Sequence, residues 1–364
     1  MTFSIVLLCF FFLISRNRKI NSIIYIFSVW YLIVITDLIL TQNMFVAISK
    51  KFDMVFVIFM CVFIFSYLLC NLIFDYNPNI TGIRIKIFKY EVYFLICFLL
   101  TLLSLFLFIK ALLTYPFPVV REKIGAGELS CKVGISFPFV CGLLYYQKIN
   151  NIKKFRKLSF VLLLILIIVA TSKMFFIIGL LYVVPWYKKG FEFKIRYVFY
   201  IVLTGISFFA VLHLVTNRVV GDGNFIQKVM YMLNGYFIGG MAIFQTHLDH
   251  TLISHITVAP WVRVGNWVGN VYSGFYSFFI NYSYLEFCIK TFFVGFMYAI
   301  LNRKELVFRF VKIYSIYPFL FFIFSDLYIA GITQWLIFFF VGVCIDLIRK
   351  RGGSNENMFI NNIV

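Results

Sequence analysis

Apolar runs long enough to cross a bilayer recur from one end of this chain to the other, separated by short basic segments. Covering ~30 Å of hydrocarbon takes about 20 apolar residues in a helix. On that ruler eleven runs stand out, near residues 2–15, 20–40, 53–74, 90–113, 132–147, 158–172, 173–187, 197–215, 282–301, 313–330 and 332–348. The first, fifth, sixth and seventh are short, so their edges are the least defined. The chain is 63% hydrophobic and 13% charged, with a mean hydropathy of +0.96. A soluble surface has no room for that much apolar area, whereas lipid solvates it. The expected fold is therefore an all-α polytopic integral membrane protein of about 11 transmembrane helices (10–12). The first run has neither a basic lead nor a small-residue cleavage site, and it reads as a span rather than a signal peptide. No internal repeat or soluble domain is visible. The expected organisation is one membrane domain. Residues 1–215 carry eight spans, 216–281 form a large loop, 282–348 carry three more spans, and 349–364 are a polar tail.

Charge sets the expected orientation. The net charge is +19, which on a soluble domain would point to nucleic acid. Here no basic-aromatic array stands on a soluble domain, and nucleic acid is excluded as a partner. Basic residues instead hold loops in the cytoplasm. With the N-terminus outside, 22 of the 33 Lys and Arg residues fall in cytoplasmic segments and nine in outer ones, while Lys110 and Lys290 lie within spans. That imbalance places the 216–281 loop outside. Within it, 229–246 is nearly apolar enough to cross, but Asn234, Gly235, Gly239, Gly240 and Gln245 weaken it. The expectation is helices lying at the interface or dipping partway in, with Trp261, Trp267 and several tyrosines at headgroup depth.

Of the eight cysteines, all but Cys131 sit in apolar runs and none form Cys-x-x-Cys, so neither a disulfide framework nor a zinc site is expected. The ionisable residues inside the spans are more informative. Asp37, Lys110, Glu286, Lys290 and Asp326 all fall nearer the outer ends of their helices in this orientation. Charges at such depth face protein or water rather than lipid, and five on one side point to an aqueous cavity open outward. Glu286 and Lys290 are four apart and share a helix face, which suits an ion pair. Snorkelling and local pairing explain each one equally well when taken alone.

The outer face also keeps cations that the orientation rule disfavours. Arg121 follows "TYPFPVV", whose prolines predict an extended exit from the fourth span. Lys173 lies in "VATSKMFF", the short turn between spans six and seven, and Arg218 follows span eight in "VTNRVVGDG". Arg as a fork and Lys as a point charge suit a diphosphate, and headgroup anchoring is the plainer alternative for any one of them. The 216–281 loop adds Arg263 and three of the four histidines. His247, His250 and Asp222 are the candidate bases, histidine being the usual proton carrier near neutral pH. His247 and His250 are three apart, so on a helix they share a face. That spacing alone is a weak metal signal, and no metal site is assigned. No Ser-His-Asp order, P-loop or dinucleotide fingerprint is present.

Three sequence stretches together resemble the Wzy-type oligosaccharide repeat-unit polymerases, including the O-antigen polymerases. A small-small-basic turn opens a helix in "TSKMFFIIGLLYVV"; Arg218 precedes the Tyr/Gly-rich "NGYFIGGMAIF"; and "GNVYSGFYSFFINYSYLEF" leads into a late span. Where the family often has Arg, Lys173 stands, and Glu286-Phe287-Cys288 replaces its frequent Asp-Phe-Gly. The resemblance covers most of residues 90–345. It implies a GT-C-like glycosyltransferase in the bacterial inner membrane with its active site facing the periplasm. It implies transfer of a growing glycan from undecaprenyl diphosphate to a sugar hydroxyl of the incoming lipid-linked unit. No cofactor, nucleotide sugar or metal is implied. A flippase and a chain-length regulator are the protein partners it brings, besides membrane lipids. Under this resemblance Arg218, Arg121 and Lys173 bind diphosphate. Tyr236, Tyr272 and Tyr276 stack on sugars or anchor at the interface, and Arg263, Glu286, Lys290 and Asp326 line the cavity. Two other readings stay open: a lipid-linked oligosaccharide flippase or other transporter, and an O-antigen ligase. A structural scaffold would not need the outward cations.

Overall fold

The structure is a computed structural model. It describes residues 50–75, 88–125, 129, 131–183, 243–244, 247–248, 262–264, 267–269, 273–301, 303, 305–322, 328 and 331–349. In chain order the elements are α1 (Lys50–Asp75), β1 (Phe88–Lys89), α2 (Tyr90–Thr114), α3 (Phe117–Gly125), α4 (Val133–Ile149), α5 (Arg156–Ala170) and α6 (Lys173–Val183). They continue with β2 (Val262–Val264), β3 (Trp267–Gly269), α7 (Gly274–Phe278), α8 (Tyr284–Ile300), α9 (Leu306–Leu320), α10 (Ile332–Asp346) and β4 (Ile348–Arg349). The described residues are largely helical. Two stretches, Met54–Ile73 in α1 and Tyr90–Thr114 in α2, are long and apolar enough to cross a membrane. The expected first, second and eighth spans lie outside the described residues.

The chain falls into two compact units. The first comprises Met1–Pro78, Trp186–Arg303 and Lys312–Trp335, and the second Asn79–Pro185, Lys304–Val311 and Leu336–Val364.

In the first unit α1 packs along α8. Gly295 makes that approach possible: a Cβ there would lie 2.0 Å from Ser66 Oγ and 2.6 Å from the Phe63 carbonyl oxygen. Close packing through small residues is how helices associate where lipid removes the hydrophobic drive between them. Around this seam sits an aromatic core. Phe59 meets Phe275 at 4.9 Å and Phe322 at 5.2 Å between centroids, and Phe63 meets Phe319 at 5.3 Å. Most of these are tilted or edge-to-face pairs, the geometry that ring quadrupoles favour. α7 is clipped to the turn just after α9 by its first amide, Gly274 N donating to the Phe322 carbonyl at 2.7 Å.

In the second unit α2 is apolar all round, so what separates its faces is polarity rather than hydropathy. Thr101 and Ser104 are turned inward with Tyr93, Cys97 and Phe108, while Leu95, Leu99, Phe106 and Leu113 are exposed. A helix that hides its few hydroxyls and presents leucine is arranged for lipid. The hydroxyls bond across to α4. Ser104 and Ser136 are 2.7 Å apart, and Tyr93 Oη donates to the Phe139 carbonyl at 3.1 Å. Farther along, Gln147 Nε2 donates to Tyr90 Oη at 2.6 Å and to Ser159 Oγ at 2.8 Å, tying α2, α4 and α5 at one end. β1 and β4 pair in parallel through Phe88–Ile348 and Lys89–Arg349.

Three local expectations change. The prolines after α2 do not give a long extended exit: Tyr115 is extended, at φ −135° and ψ 148°, and α3 already starts at Phe117. Pro118 falls in the first turn of α3, where a missing N–H costs nothing. The tenth span, expected at 313–330, is helical from Leu306, because Arg309 and Lys312 lower the local hydropathy without breaking the helix. Within the 216–281 loop, β2 and β3 form an antiparallel hairpin, with Val264 opposite Trp267, where interfacial helices were expected. The dipeptide between them, Gly265-Asn266, is of the type that two-residue hairpins favour.

Candidate functional site

α7, the turn after it and the start of α8 hold the candidate residues that come together. Ser273 caps α7 by accepting from Tyr276 N, and Ser283 caps α8 by accepting from Glu286 N at 3.2 Å. Each hydroxyl cap stands one residue before its helix, and with α7 ending at Phe278 this leaves 279–282 as a tight turn. Tyr282 closes it in the left-handed region at φ 54°, its amide donating to the Phe279 carbonyl at 2.9 Å. A bulky residue there is strained and is held by its surroundings.

Those surroundings include His247. Its imidazole is buried at 6% exposure, stacked on Tyr282 with centroids 4.1 Å apart and edge-on to Tyr276 at 4.8 Å. His247 Nε2 lies 3.2 Å from the Phe279 carbonyl oxygen. A carbonyl only accepts, so Nε2 carries a hydrogen and donates it. Nδ1 is 3.1 Å from Tyr282 Oη. The two rings are only 18° from parallel, so the hydroxyl approaches over the imidazole face rather than along the in-plane lone pair. His247 is thus engaged on one edge and covered on one face. Burial raises the Tyr276 phenol above its usual range, and the neighbouring Tyr282 adds to the effect.

One turn into α8, Glu286 and Lys290 form the expected ion pair. Lys290 Nζ also donates to the Ser277 carbonyl at 3.3 Å, and Asn281 Nδ2 donates to Glu286 Oε2 at 2.8 Å. Both charges are thereby spent on the turn. Nearby, Lys51 Nζ at the start of α1 reaches the Leu248 carbonyl at 3.5 Å, next to His247.

His247, Tyr276, Glu286 and Lys290 are therefore neighbours in the first unit, joined through the 277–283 turn. Arg263 is in β2, paired in register with Val268. Arg218, Asp222, Tyr236, His250, Tyr272 and Asp326 lie outside the described residues, as do Asp37 and Asp249. In the second unit Arg121 is half-buried on α3, and two residues on Lys123 Nζ stands 5.5 Å from the Tyr115 ring centroid, within cation–π range. Lys173 is the first residue of α6, directly after the turn at Thr171, whose φ of 49° is left-handed. Among the described residues no group of three or more His, Cys, Asp and Glu is placed to hold a metal ion. Asn281, Tyr282 and Ser277 were not singled out by sequence. The one signal for them was the "SFFINYSYLEF" run, in which polar residues interrupt aromatics just before a span.

A protein named O-antigen polymerase from Shigella dysenteriae is 24% identical to this chain over 258 residues, covering 64% of the chain and 66% of that protein. The likeness supports the Wzy-type polymerase family. It agrees with the resemblance carried by the motifs around Lys173, Arg218 and Tyr272. The matched stretch takes in a little under two thirds of the O-antigen polymerase's length. No family model matches the chain, and no solved structure does. Composition, the two membrane-length helices and the relative together support an integral membrane protein of this polymerase type.

Proposed function

We propose that the chain polymerises lipid-diphosphate-linked oligosaccharide repeat units at the outer face of the bacterial inner membrane. The observation that carries this reading is the likeness to an O-antigen polymerase over 258 residues. The outward cations that remain against the orientation bias support it. In the reaction the bond between the anomeric carbon of the growing glycan and its lipid diphosphate breaks. A bond forms from that carbon to a sugar hydroxyl of the incoming unit. The hydroxyl proton passes to a base and the electron pair leaves with the diphosphate. Charge builds on the leaving group at bilayer depth, and preorganised cations stabilise it there. Arg218, Arg121 and Lys173 take that role in this reading, in a GT-C-like site facing the periplasm.

The base is assigned to the same outer loop. His247 has its Nε2–H held by a backbone carbonyl and one ring face covered by Tyr282. His247, His250 and Asp222 remain the candidates for the proton; with Nε2–H held, Nδ1 is the basic nitrogen of His247, and the same histidine also holds the loop. Tyr276 is buried against that histidine, which favours packing over sugar contact.

Arg218→Ala is expected to abolish long-chain glycan while the protein stays inserted and the single repeat unit is still made. The measurement is glycan profiling by gel, beside a deletion of the gene. Loss of the ladder with one capped unit remaining selects a polymerase. Units accumulating on the inner face select a flippase, and loss of all capped glycan selects a ligase. A normal ladder from Arg218→Ala overturns the diphosphate role.

A further inference from the structure

We propose that Glu286 and Lys290 are positioning residues: their pair locks the 277–283 turn, and through it His247, onto the start of α8. The inference rests on the polymerase reading and adds to it a role for two charges that sequence placed in a cavity.

The bonding carries the argument. Lys290 Nζ faces Glu286 across one helical turn and at the same time donates to the Ser277 carbonyl, 13 residues back in the chain. That carbonyl belongs to the last turn of α7, where helix carbonyls lack intrahelical partners. Glu286 in turn accepts from Asn281 through Oε2 at 2.8 Å and gives its own amide to Ser283 Oγ at 3.2 Å. One ion pair thus grips the turn at 277 and at 281. Between the two grips, and one residue past the second, lie the groups that hold His247. The Phe279 carbonyl takes its Nε2–H, and Tyr282, left-handed at φ 54°, lies flat against its ring. His247 joins the preceding part of the loop to this turn, with Leu248 beside it and Phe244 packed on Phe279 and Phe275. An i,i+4 pair on a helix adds little to helix stability, so helix propensity does not explain the arrangement. Three donors and acceptors converging on one turn fix geometry.

A symmetric ion pair and this clip respond differently to exchange. In the double variant Glu286→Lys with Lys290→Glu the pair is re-formed. A carboxylate at 290 then faces the Ser277 carbonyl, acceptor against acceptor, and an ammonium at 286 faces the Asn281 amide donor. The exchange is therefore expected to fail where Lys290→Arg, which keeps the donor, succeeds.

The experiment uses the full-length protein in lipid vesicles. The probe is the lipid-diphosphate-linked unit that accumulates when the gene is deleted. Lys290→Ala is expected to lower kcat roughly ten- to a hundredfold, the scale of loss when catalytic geometry slips by about 1 Å. KM and the detergent melting temperature should stay near wild type. Lys290→Arg should recover most of the turnover and the charge exchange little of it. His247→Ala should lose turnover too, and combining it with Lys290→Ala should cost no more than His247→Ala alone, as expected for groups in one chain of contacts. Wild-type kcat in Lys290→Ala or in His247→Ala, full recovery by the exchange, or additive losses in the double variant would each overturn the inference. Failure of the wild-type protein to lengthen the unit would instead overturn the polymerase reading, so the two failures are told apart.

Discussion

Gly295 shows how little room single residues have in this core. It faces Ser66 Oγ and the Phe63 carbonyl at distances no Cβ can occupy. The serine can rotate, but the carbonyl belongs to the α1 backbone. Gly295→Ala is therefore expected to cost about 1–3 kcal/mol, the range for overpacking a close-packed site. Thermal unfolding in detergent would measure it. Adding Ser66→Ala should return only part of the loss, because the carbonyl contact remains; complete recovery would show that the serine alone set the spacing. The His247 cluster belongs to the same scale and was the least legible part of the sequence. His247 and Tyr282 are 35 apart, and no periodicity links them. The sequence marked the histidine as chemistry, whereas its partners, a carbonyl and two phenol rings, are groups that any loop supplies. Glu286 and Lys290 were legible because their spacing is that of a helix turn, but the Ser277 carbonyl that gives the pair its use carries no side-chain signature.

Among the elements, helices whose apolar run was unbroken were read within a few residues. α1 and α2 match the expected 53–74 and 90–113 closely. Reading failed where hydropathy and helix propensity diverge. α9 starts seven residues before its expected edge at 313, since Arg309 and Lys312 are good helix formers that transfer scales penalise. α3 was not legible because the prolines of "TYPFPVV" predict extended backbone, although proline is at home in a first turn. The β2–β3 hairpin lay hidden in "WVRVGNWVGN": alternation around Gly-Asn was present, but aromatic and apolar residues on both faces blurred it. The α2–α4 contact supports a quantitative ordering. Ser104→Ala removes one partner of the 2.7 Å serine pair, while Ser136 keeps the Leu100 and Lys132 carbonyls, each at 3.1 Å, as acceptors for its one hydrogen. The expected cost is about 0.6 kcal/mol, the average for interhelical hydrogen bonds in a membrane. Gly142→Ala should cost more, since its Cβ would lie 2.6 Å from Tyr93 Oη and 2.8 Å from both Val341 and Ile345. Detergent unfolding that ranked Ser104→Ala as the worse of the two would mean that hydroxyls, rather than close packing, hold these helices together.

For the whole molecule, everything proposed about chemistry depends on which side each connection faces, and that rests on the distribution of charge. Twenty-two basic residues against nine is a large bias, and moving either group across would place the surplus in the compartment that disfavours it. The described structure offers two exposed positions that the orientation assigns to opposite sides. Phe117, 51% exposed at the start of α3, belongs to the outer face beside Arg121. Asn151, exposed in the turn between α4 and α5, belongs to the cytoplasmic face among Lys148, Lys153, Lys154, Arg156 and Lys157. In a variant with its eight native cysteines replaced, Phe117→Cys should react in intact spheroplasts with a membrane-impermeant maleimide. Asn151→Cys should react only after the membrane is opened. The opposite pattern would put Arg121 and the 216–281 loop in the cytoplasm, away from any substrate already translocated, and the diphosphate reading would fall with it. Labelling of both positions in intact spheroplasts would instead mean that α4 does not cross. The loop order would then have to be rebuilt around α1 and α2, the two helices among the described residues that are long and apolar enough to span a bilayer.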